Sequence, residues 1–569
     1  MIMKRKGIKG LAFIAAAGLL TTSCDLLKDV DYAVTPDPLE MHGDSVKVKV
    51  DITLPEKGIH KKAYAEITPA LGTHALKPVT IVGEKATANG TVVPYKAGGK
   101  VVYEDVIAYA PDMEVSELSV TGKIYKKGKE KGKIEKTKIA DATVVTPLMV
   151  AKDFRVIYAS DQFQRVTKEQ QLADIHYLKG RSKVRYSEMR DDDIASLDSF
   201  LTVAQENPKV EVTGITITGF ASIEGEEDKN NSLSQDRSNS AKESVMEVAA
   251  RKKVANEKAQ EEGTFNTIAK GEDFKGFKRA LKDADMDEGD KDAIMQVLKM
   301  QKTPAAREQA IRDLSTYLYL DNNVFPAQRR AEIVVNYDLT GFSDEELKDL
   351  SKSNIDTLTV EEILFTATLT DDLNEKLRLY NEAARLYPED HRPVNNAGAV
   401  LYMQNKLTEA KSKFEKANGI KENAISKNNL AAIAGVNGKR DDAKALLSEA
   451  DGAGSEVDYN MGVLNIQDGA YDDALSNFGS EASFNKALTE LLNEDVAAAT
   501  STIDEAPAAE TAKGYYLKAI AAARQDNLQD IVSNLKSAFA KDASLKSKAS
   551  KDREFIKYMD NASFTSIVK

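Results

Sequence analysis

The chain has 569 residues, 42% hydrophobic and 30% charged, with a formal net charge of −12, a length that predicts about four folded units at roughly 150 residues each. Only residues 11–20 form a sustained apolar run, short of the ~20 that a spanning helix needs, which excludes a polytopic transporter or channel, and the acidic balance argues against nucleic acid as a partner. The single cysteine excludes an intrachain disulfide, and the five histidines (His42, His60, His74, His176, His391) have no metal-ligand spacing, so neither a metal nor a cofactor is expected.

The N-terminus, MIMKRKGIKG-LAFIAAAGLL-TTSC, places Lys4, Arg5, Lys6 and Lys9 before a ten-residue apolar core and a small-residue stretch. This is the build of a secretory signal peptide. Cys24, the only thiol, sits where a bacterial lipoprotein signal is cut and acylated, and the stretch before it resembles a lipobox, with Leu20 one place further out than the strongest pattern. The resemblance implies a lipid anchor at Cys24, removal of residues 1–24, and a protein held at the outer membrane on its periplasmic face. Several acyl chains anchor stably where one does not. Residues 25–42 show little periodicity and read as a tether.

Residues 43–150 read as β. Val46, Val48, Val50, Ile52 and Leu54 alternate with Lys47, Lys49, Asp51 and Thr53, a strand with one wet face. Further runs follow at AYAEITPAL, KPVTIVG, GTVVPYK, GKVVYEDVIAYA and SELSVTGKIY, and regular short strands with turn signals point to an antiparallel β-sandwich. Eight lysines and two glutamates lie between Lys123 and Lys138. A patch for an anionic polymer and a solvated hairpin with lysines guarding an edge strand both fit this run, and the hairpin is the simpler reading.

Residues 151–340 change character. YLKGRSKVRYSE reads as a strand region. DDDIASLDSFLTVAQENP reads as a helix with acids in its first turn and Ile194, Leu197, Leu201 and Ala204 on one face. VEVTGITITGF is a strand, LSQDRSNSAKESVMEVAARKKV a helix and RAEIVVNYDL a closing strand, an order that predicts a two-layer α/β domain. About residues 251–325, mostly helical in pattern, look like an insertion. Residues 341–360 are polar and read as a linker.

From 361 to 569 the chain is helical and alanine-rich. Gly398 is followed twelve residues later by Ala410, then by Phe414 and Ala417 at steps of four and three. The ladder recurs at Ala431, Ala443, Leu447 and Ala450, at Gly462, Ala474 and Phe478, at Ala487, Ala499, Ile503 and Ala506, and at Ala519, Ile531, Leu535 and Ala538. Successive copies lie 33, 31 and then 25 residues apart, against about 34 for tetratricopeptide repeats, which this region resembles. The short step predicts a truncated helix near FGSEAS. Stacked helical hairpins of this kind form a solenoid with a concave surface, which implies envelope-protein partners.

GFASIEGEEDKNNSLSQDRSNSAKESV resembles the signature of the OmpA C-terminal-like, peptidoglycan-associating domain. Gly219 and Phe220 end the strand, Gly225 matches the turn glycine, Asn230, Leu233 and Ser234 fall in register, and Arg237 takes the motif's arginine position. The downstream RRAEIVVNY resembles the basic pair before the family's last strand. The resemblance implies that Arg237 clamps the carboxylate of a diaminopimelate stem peptide. Ser222 occupies the position of the family's aspartate, and its neutral hydroxyl cannot hold the ammonium. Glu224, Glu226 and Asp228 are the candidates for that role, and the spacing does not choose among them or establish it.

The sequence therefore predicts a non-enzymatic outer-membrane lipoprotein of three folded parts. It associates with peptidoglycan through Arg237, Ser222, Asn230 and Glu224, scaffolds envelope proteins through its repeats, or does both. The alternative is a subunit of a fimbria-like surface-assembly or export machine whose OmpA-like domain no longer binds peptidoglycan. No Ser-His-Asp, Cys-His or metal constellation is readable from spacing.

Overall fold

The computed structural model describes residues 26–251 and 262–569. The segment expected to be a signal peptide, residues 1–24 with Cys24, lies outside the described residues. Two compact units are present. One runs to Ser160 and resumes over Asp372–Lys569, and the other is Asp161–Asp371. No helix among the described residues is long and apolar enough to cross a membrane.

The first unit begins with ten strands: β1 (Asp31–Val34), β2 (Leu39–His42), β3 (Ser45–Leu54), β4 (Ala63–Leu71), β5 (His74–Ala75), β6 (Val79–Gly83), β7 (Thr91–Val93), β8 (Gly99–Ala108), β9 (Ser116–Lys126) and β10 (Lys129–Val144). They join into one curled sheet through β2, which pairs antiparallel with β3 at Met41 and His42 and parallel with β10 at Leu39 and Glu40. The alternation in β3 has its expected outcome. Val46, Val48, Val50, Ile52 and Leu54 are all buried, in one core with Ala65 and Ile67 of β4 and Val120 and Ile124 of β9. The lysine-rich run is the β9–β10 hairpin. Lys127 and Gly128 both take positive φ (54° and 72°), the two-residue turn whose twist matches that of its strands.

Residues 26–42 are not a tether. Tyr32 and Leu39 are buried, and β1 pairs with β3 from Asp31↔Thr53 to Val34↔Val50. Apolar residues spaced by polar and proline ones hid two four-residue strands that have too few positions to display a period.

The helical part contains five hairpins: His391–Met403 with Leu407–Ile420, Ala424–Val436 with Arg440–Ser448, Ser455–Gln467 with Tyr471–Phe478, Phe484–Leu492 with Val496–Glu505, and Ala512–Arg524 with Leu528–Lys541. All the ladder positions are buried. The ladder also carries a steric rule. Where the bulky mark is Phe, the small mark sixteen residues earlier is Gly. A Cβ on Gly398 would stand 2.7 Å from Phe414 Cε1, and one on Gly462 2.7 Å from Phe478 Cε1. Leu447, Ile503 and Leu535 instead leave room for Ala431, Ala487 and Ala519. The short step appears where expected: Tyr471–Phe478 has eight residues and ends at Gly479. Phe555 and Phe564, packed with Tyr516, close the C-terminal end.

The second unit holds a four-stranded sheet, β11 (Val166–His176), β12 (Val210–Ala221), β13 (Phe265–Glu272) and β14 (Arg330–Thr340), in the order β11-β14-β12-β13, with β12 and β13 parallel and the other pairings antiparallel. Helices α1 (Asp192–Glu206) and α2 (Glu227–Arg251) share one core with it, where Ile194, Leu197 and Leu201 meet Ile215, Ile217, Val245 and Ile333. Three expectations change. The first strand lies at 166–176 rather than in YLKGRSKVRYSE. Its polar residues carry little strand propensity, and pairing with β14 from Val166↔Thr340 to His176↔Arg330 fixes it instead. The insertion includes β13 before its helices (Phe274–Asp283, Glu288–Met300, Pro304–Arg312, Tyr317–Asn323). The 341–360 linker contains a helix, Asp344–Ser353, started by the Ser343–Glu346 capping box.

Candidate functional site

Residues 151–160, expected at the start of the α/β domain, belong to the first unit and run extended along the repeats. Four asparagines hold them by the main chain. Asn485, Asn460, Asn429 and Asn396 each accept from the N–H and donate to the C=O of one residue, Ala151, Arg155, Ile157 and Ala159 respectively, at 2.7–2.9 Å. A carboxamide carries a C=O acceptor and an N–H donor on separate atoms, as a peptide group does, so each rung reproduces the pairing of a neighbouring β-strand. The asparagines occupy one repeat position, two residues before the small mark of the ladder at Gly398, Ala431, Gly462 and Ala487.

A second row braces the first. Asn395 donates to the Ile157 carbonyl and Asn428 to the Arg155 carbonyl, both at 3.1 Å. Asn429 donates to Asn395 Oδ1 and Asn460 to Asn428 Oδ1, both at 3.0 Å, linking adjacent repeats. All these side chains are buried, where an unpaired amide would be costly.

Side chains of the strand add specificity. Phe154 is 3% exposed and fills a slot over Gly435, where a Cβ would stand 2.5 Å from its Cζ. Arg155 pairs with both oxygens of Glu481 (2.8 and 2.6 Å), and its guanidinium lies 3.5 Å from the centre of the Tyr459 ring. Asp153 receives the Tyr459 hydroxyl at 2.9 Å and the Asn485 amide at 2.8 Å.

The four residues expected to bind peptidoglycan come together at the end of β12 and the start of α2, and all are buried. Ser222 Oγ donates to Glu224 Oε1 at 3.0 Å, and Glu224 is ion-paired with Arg329 at 2.8 Å. Asn230 Nδ2 donates to the Ser222 carbonyl and to Glu272, each at 3.0 Å. Arg237 is 1% exposed. Its guanidinium donates to the carbonyls of Phe220 (2.7 Å), Arg181 (3.0 Å) and Leu178 (3.4 Å). Burial pulls its pKa down to about 10, so it remains charged at neutral pH. Glu226, just before α2, and Asp228, on its first turn, are exposed, Glu226 paired with Lys229.

The insertion contributes to the burial around Ile223 and Glu224. Phe277, Leu281, Ile311 and Phe325 form a second core with Ile223, and Arg312 and Asp321 reach back from it, Arg312 to the Glu224 carbonyl at 3.1 Å and Asp321 to Arg329 at 2.5 Å. Arg330, the other half of the basic pair, binds Asp273 and Glu332.

No family model and no curated protein matches the chain. Among solved structures it is similar to YrrB, described as a tetratricopeptide-repeat protein with an unusual peptide-binding site (19% identity, 35% of this chain and 94% of that one, TM-score 0.21). It is also similar to a tetratricopeptide repeat protein from Parabacteroides merdae ATCC 43184 (12% identity, 44% and 94%, TM-score 0.28) and to yeast Tom70 (14% identity, 67% and 78%, TM-score 0.26). Such scores add nothing to the hairpins themselves, whose steric ladder and stacking make the C-terminal region a run of tetratricopeptide-type repeats.

Proposed function

We propose that the chain is a non-enzymatic, lipid-anchored scaffold of the cell envelope. Its helical repeats recognise extended polypeptide by the main chain, and its α/β unit, of the OmpA C-terminal-like kind, serves as a structural module. The asparagine ladder carries this reading. It is a row of buried amides whose chemistry suits a peptide backbone. The signal-like N-terminus and Cys24 support outer-membrane anchoring.

For the α/β unit, the geometry favours the alternative in which wall binding is not retained, as in a subunit of a surface-assembly machine. A clamp for a stem-peptide carboxylate needs an accessible arginine with free donors, and Arg237 is buried with its three nitrogens each directed at a main-chain carbonyl.

Fractionation of cells producing the full chain, with and without Cys24→Ser, tests the anchor, and co-sedimentation of the released protein with diaminopimelate-containing sacculi tests the wall. We expect acyl-labelled wild type in the outer-membrane fraction, release by Cys24→Ser, and no sedimentation above background. Saturable sedimentation competed by free diaminopimelate would restore the wall-binding reading.

A further inference from the structure

The asparagine ladder uses one edge of the 151–159 strand. Main-chain groups alternate in direction along an extended chain, so the N–H groups of Phe154, Val156 and Tyr158 point to the opposite edge. Among the described residues no hydrogen bond engages those three N–H groups. The single bond on that side is from the Tyr402 hydroxyl to the Phe154 carbonyl, at 2.8 Å. Alongside lies an open channel of about 650 Å³ whose lining mixes apolar side chains, among them Phe154, Val156, Met403 and Val436, with the charged Lys152 and Glu456. Met403 is 57% exposed there, with the Tyr158 hydroxyl 3.1 Å from its Sδ.

We infer that this free edge is a β-addition site, taking an extended segment of a partner protein as a second strand in the groove. Three donors repeating every second residue match the acceptors of one strand, spaced about 6.6 Å apart, and not those of a helix or a compact ligand. A strand added there lies about 4.8 Å from 152–158, over the channel, whose apolar side chains at Phe154, Val156, Met403 and Val436 accept Val, Ile or Leu at alternate positions. Affinity then comes from the main chain and selectivity from the alternate side chains, the mode of peptide recognition at open sheet edges. The chain's own segment thereby becomes part of the receptor rather than a plug in it. This inference rests on the scaffold reading for the existence of a partner, but its test is independent of membrane anchoring.

The probe is a fluorescein-labelled eight-residue peptide alternating valine and threonine, titrated into the full chain and followed by anisotropy. Val156→Pro removes one free-edge N–H and leaves the Asn460 and Asn429 rungs in place, since those bond Arg155 and Ile157. Proline also favours an extended residue before it. We expect the wild type to bind the peptide and Val156→Pro to weaken binding at least about tenfold, the worth of one or two main-chain bonds. A probe N-methylated at alternate amides loses binding to the unaltered chain, a readout that does not depend on how the variant folds. Equal binding of the methylated probe, or no wild-type binding at about 1 mM, a Kd worth only some 4 kcal/mol, overturns the inference.

Discussion

Both the repeat groove and the end of β12 bury polar side chains against main-chain groups, and they do so in opposite ways. In the groove, four neutral amides each satisfy one residue of a single extended segment, and the work is divided among four repeats. At the end of β12, one charged group, Arg237, satisfies three carbonyls from two stretches of chain. A divided contact suits recognition, because each rung is modest and the register is set by repetition. A concentrated contact suits architecture, because its loss leaves several acceptors unpaired in one place.

The largest effect is therefore expected at Arg237. Arg237→Ala removes three charge-assisted bonds and leaves the Phe220, Arg181 and Leu178 carbonyls without them, a loss of about 3–5 kcal/mol. Thermal unfolding of the full chain should show a lowered transition for the α/β unit while exchange protection of the repeats is unchanged. Near-wild-type melting would show that Arg237 is not the support inferred here.

A rung of the ladder should cost less. Asn429→Ala deprives the Ile157 N–H of its partner, although Asn395 still reaches the Ile157 carbonyl, and about 1–3 kcal/mol is expected. Pairing it with Asn460→Ala, which strips the Arg155 N–H, should exceed the sum of the single effects, because Asn460 also donates to Asn428 and so joins the same network. The readout is tryptic cleavage after Arg155, slow in the wild type and fast in the double variant, with the helical circular dichroism retained.

The difference between the regions also explains what the sequence revealed. The β3 alternation, the buried face of α1 and the 12-4-3 ladder are periodic, and each was legible because its period matches the element that buries it. The ladder even exposed the shortened hairpin at Tyr471–Phe478. The asparagines share that period at 396, 429, 460 and 485, so the signal was present, as NNAGA, NNLAA, YNMGV and FNKAL. Apolar periodicity does not display it, because these are polar residues at core positions. Their partner, FRVIYA, has ordinary strand character that any sheet could satisfy, and nothing local assigns it to helices more than 230 residues away. Arg237 lies on helix α2 beside the end of β12. Its acceptors at Leu178 and Arg181 lie more than 50 residues away, and tertiary contacts of that kind leave no local pattern.

A steric test isolates the side-chain part of recognition from the ladder. Gly435→Ala places a methyl 2.5 Å from Phe154 Cζ, closer than carbon atoms tolerate, and should destabilise seating of the strand by about 1–3 kcal/mol. Phe154→Leu in the same chain should recover part of that loss, seen as restored resistance to trypsin. Independent, additive effects would mean that Phe154 does not occupy the slot over Gly435.

The smallest effect is expected at the rim, where Arg155 meets Glu481. The Arg155 guanidinium holds the Glu481 carboxyl below the ordinary glutamate range, so the pair stabilises the seated strand above the unfolded glutamate pKa, near about 4.3, and that contribution is lost as pH falls through the depressed folded value. Glu481 is half exposed, and solvent and salt screening limit such a pair to about 0–1 kcal/mol. Amide exchange of residues 155–159, compared at matched intrinsic rates, should therefore show a small rise in opening as pH drops below about 4, diminished by added salt. Glu481→Gln should open slightly more than wild type at neutral pH and show no further change on acidification from this site. If wild type and Glu481→Gln respond identically to acid, the Arg155 side chain contributes only its packing on Tyr459, and the four amides hold the strand without help from charge.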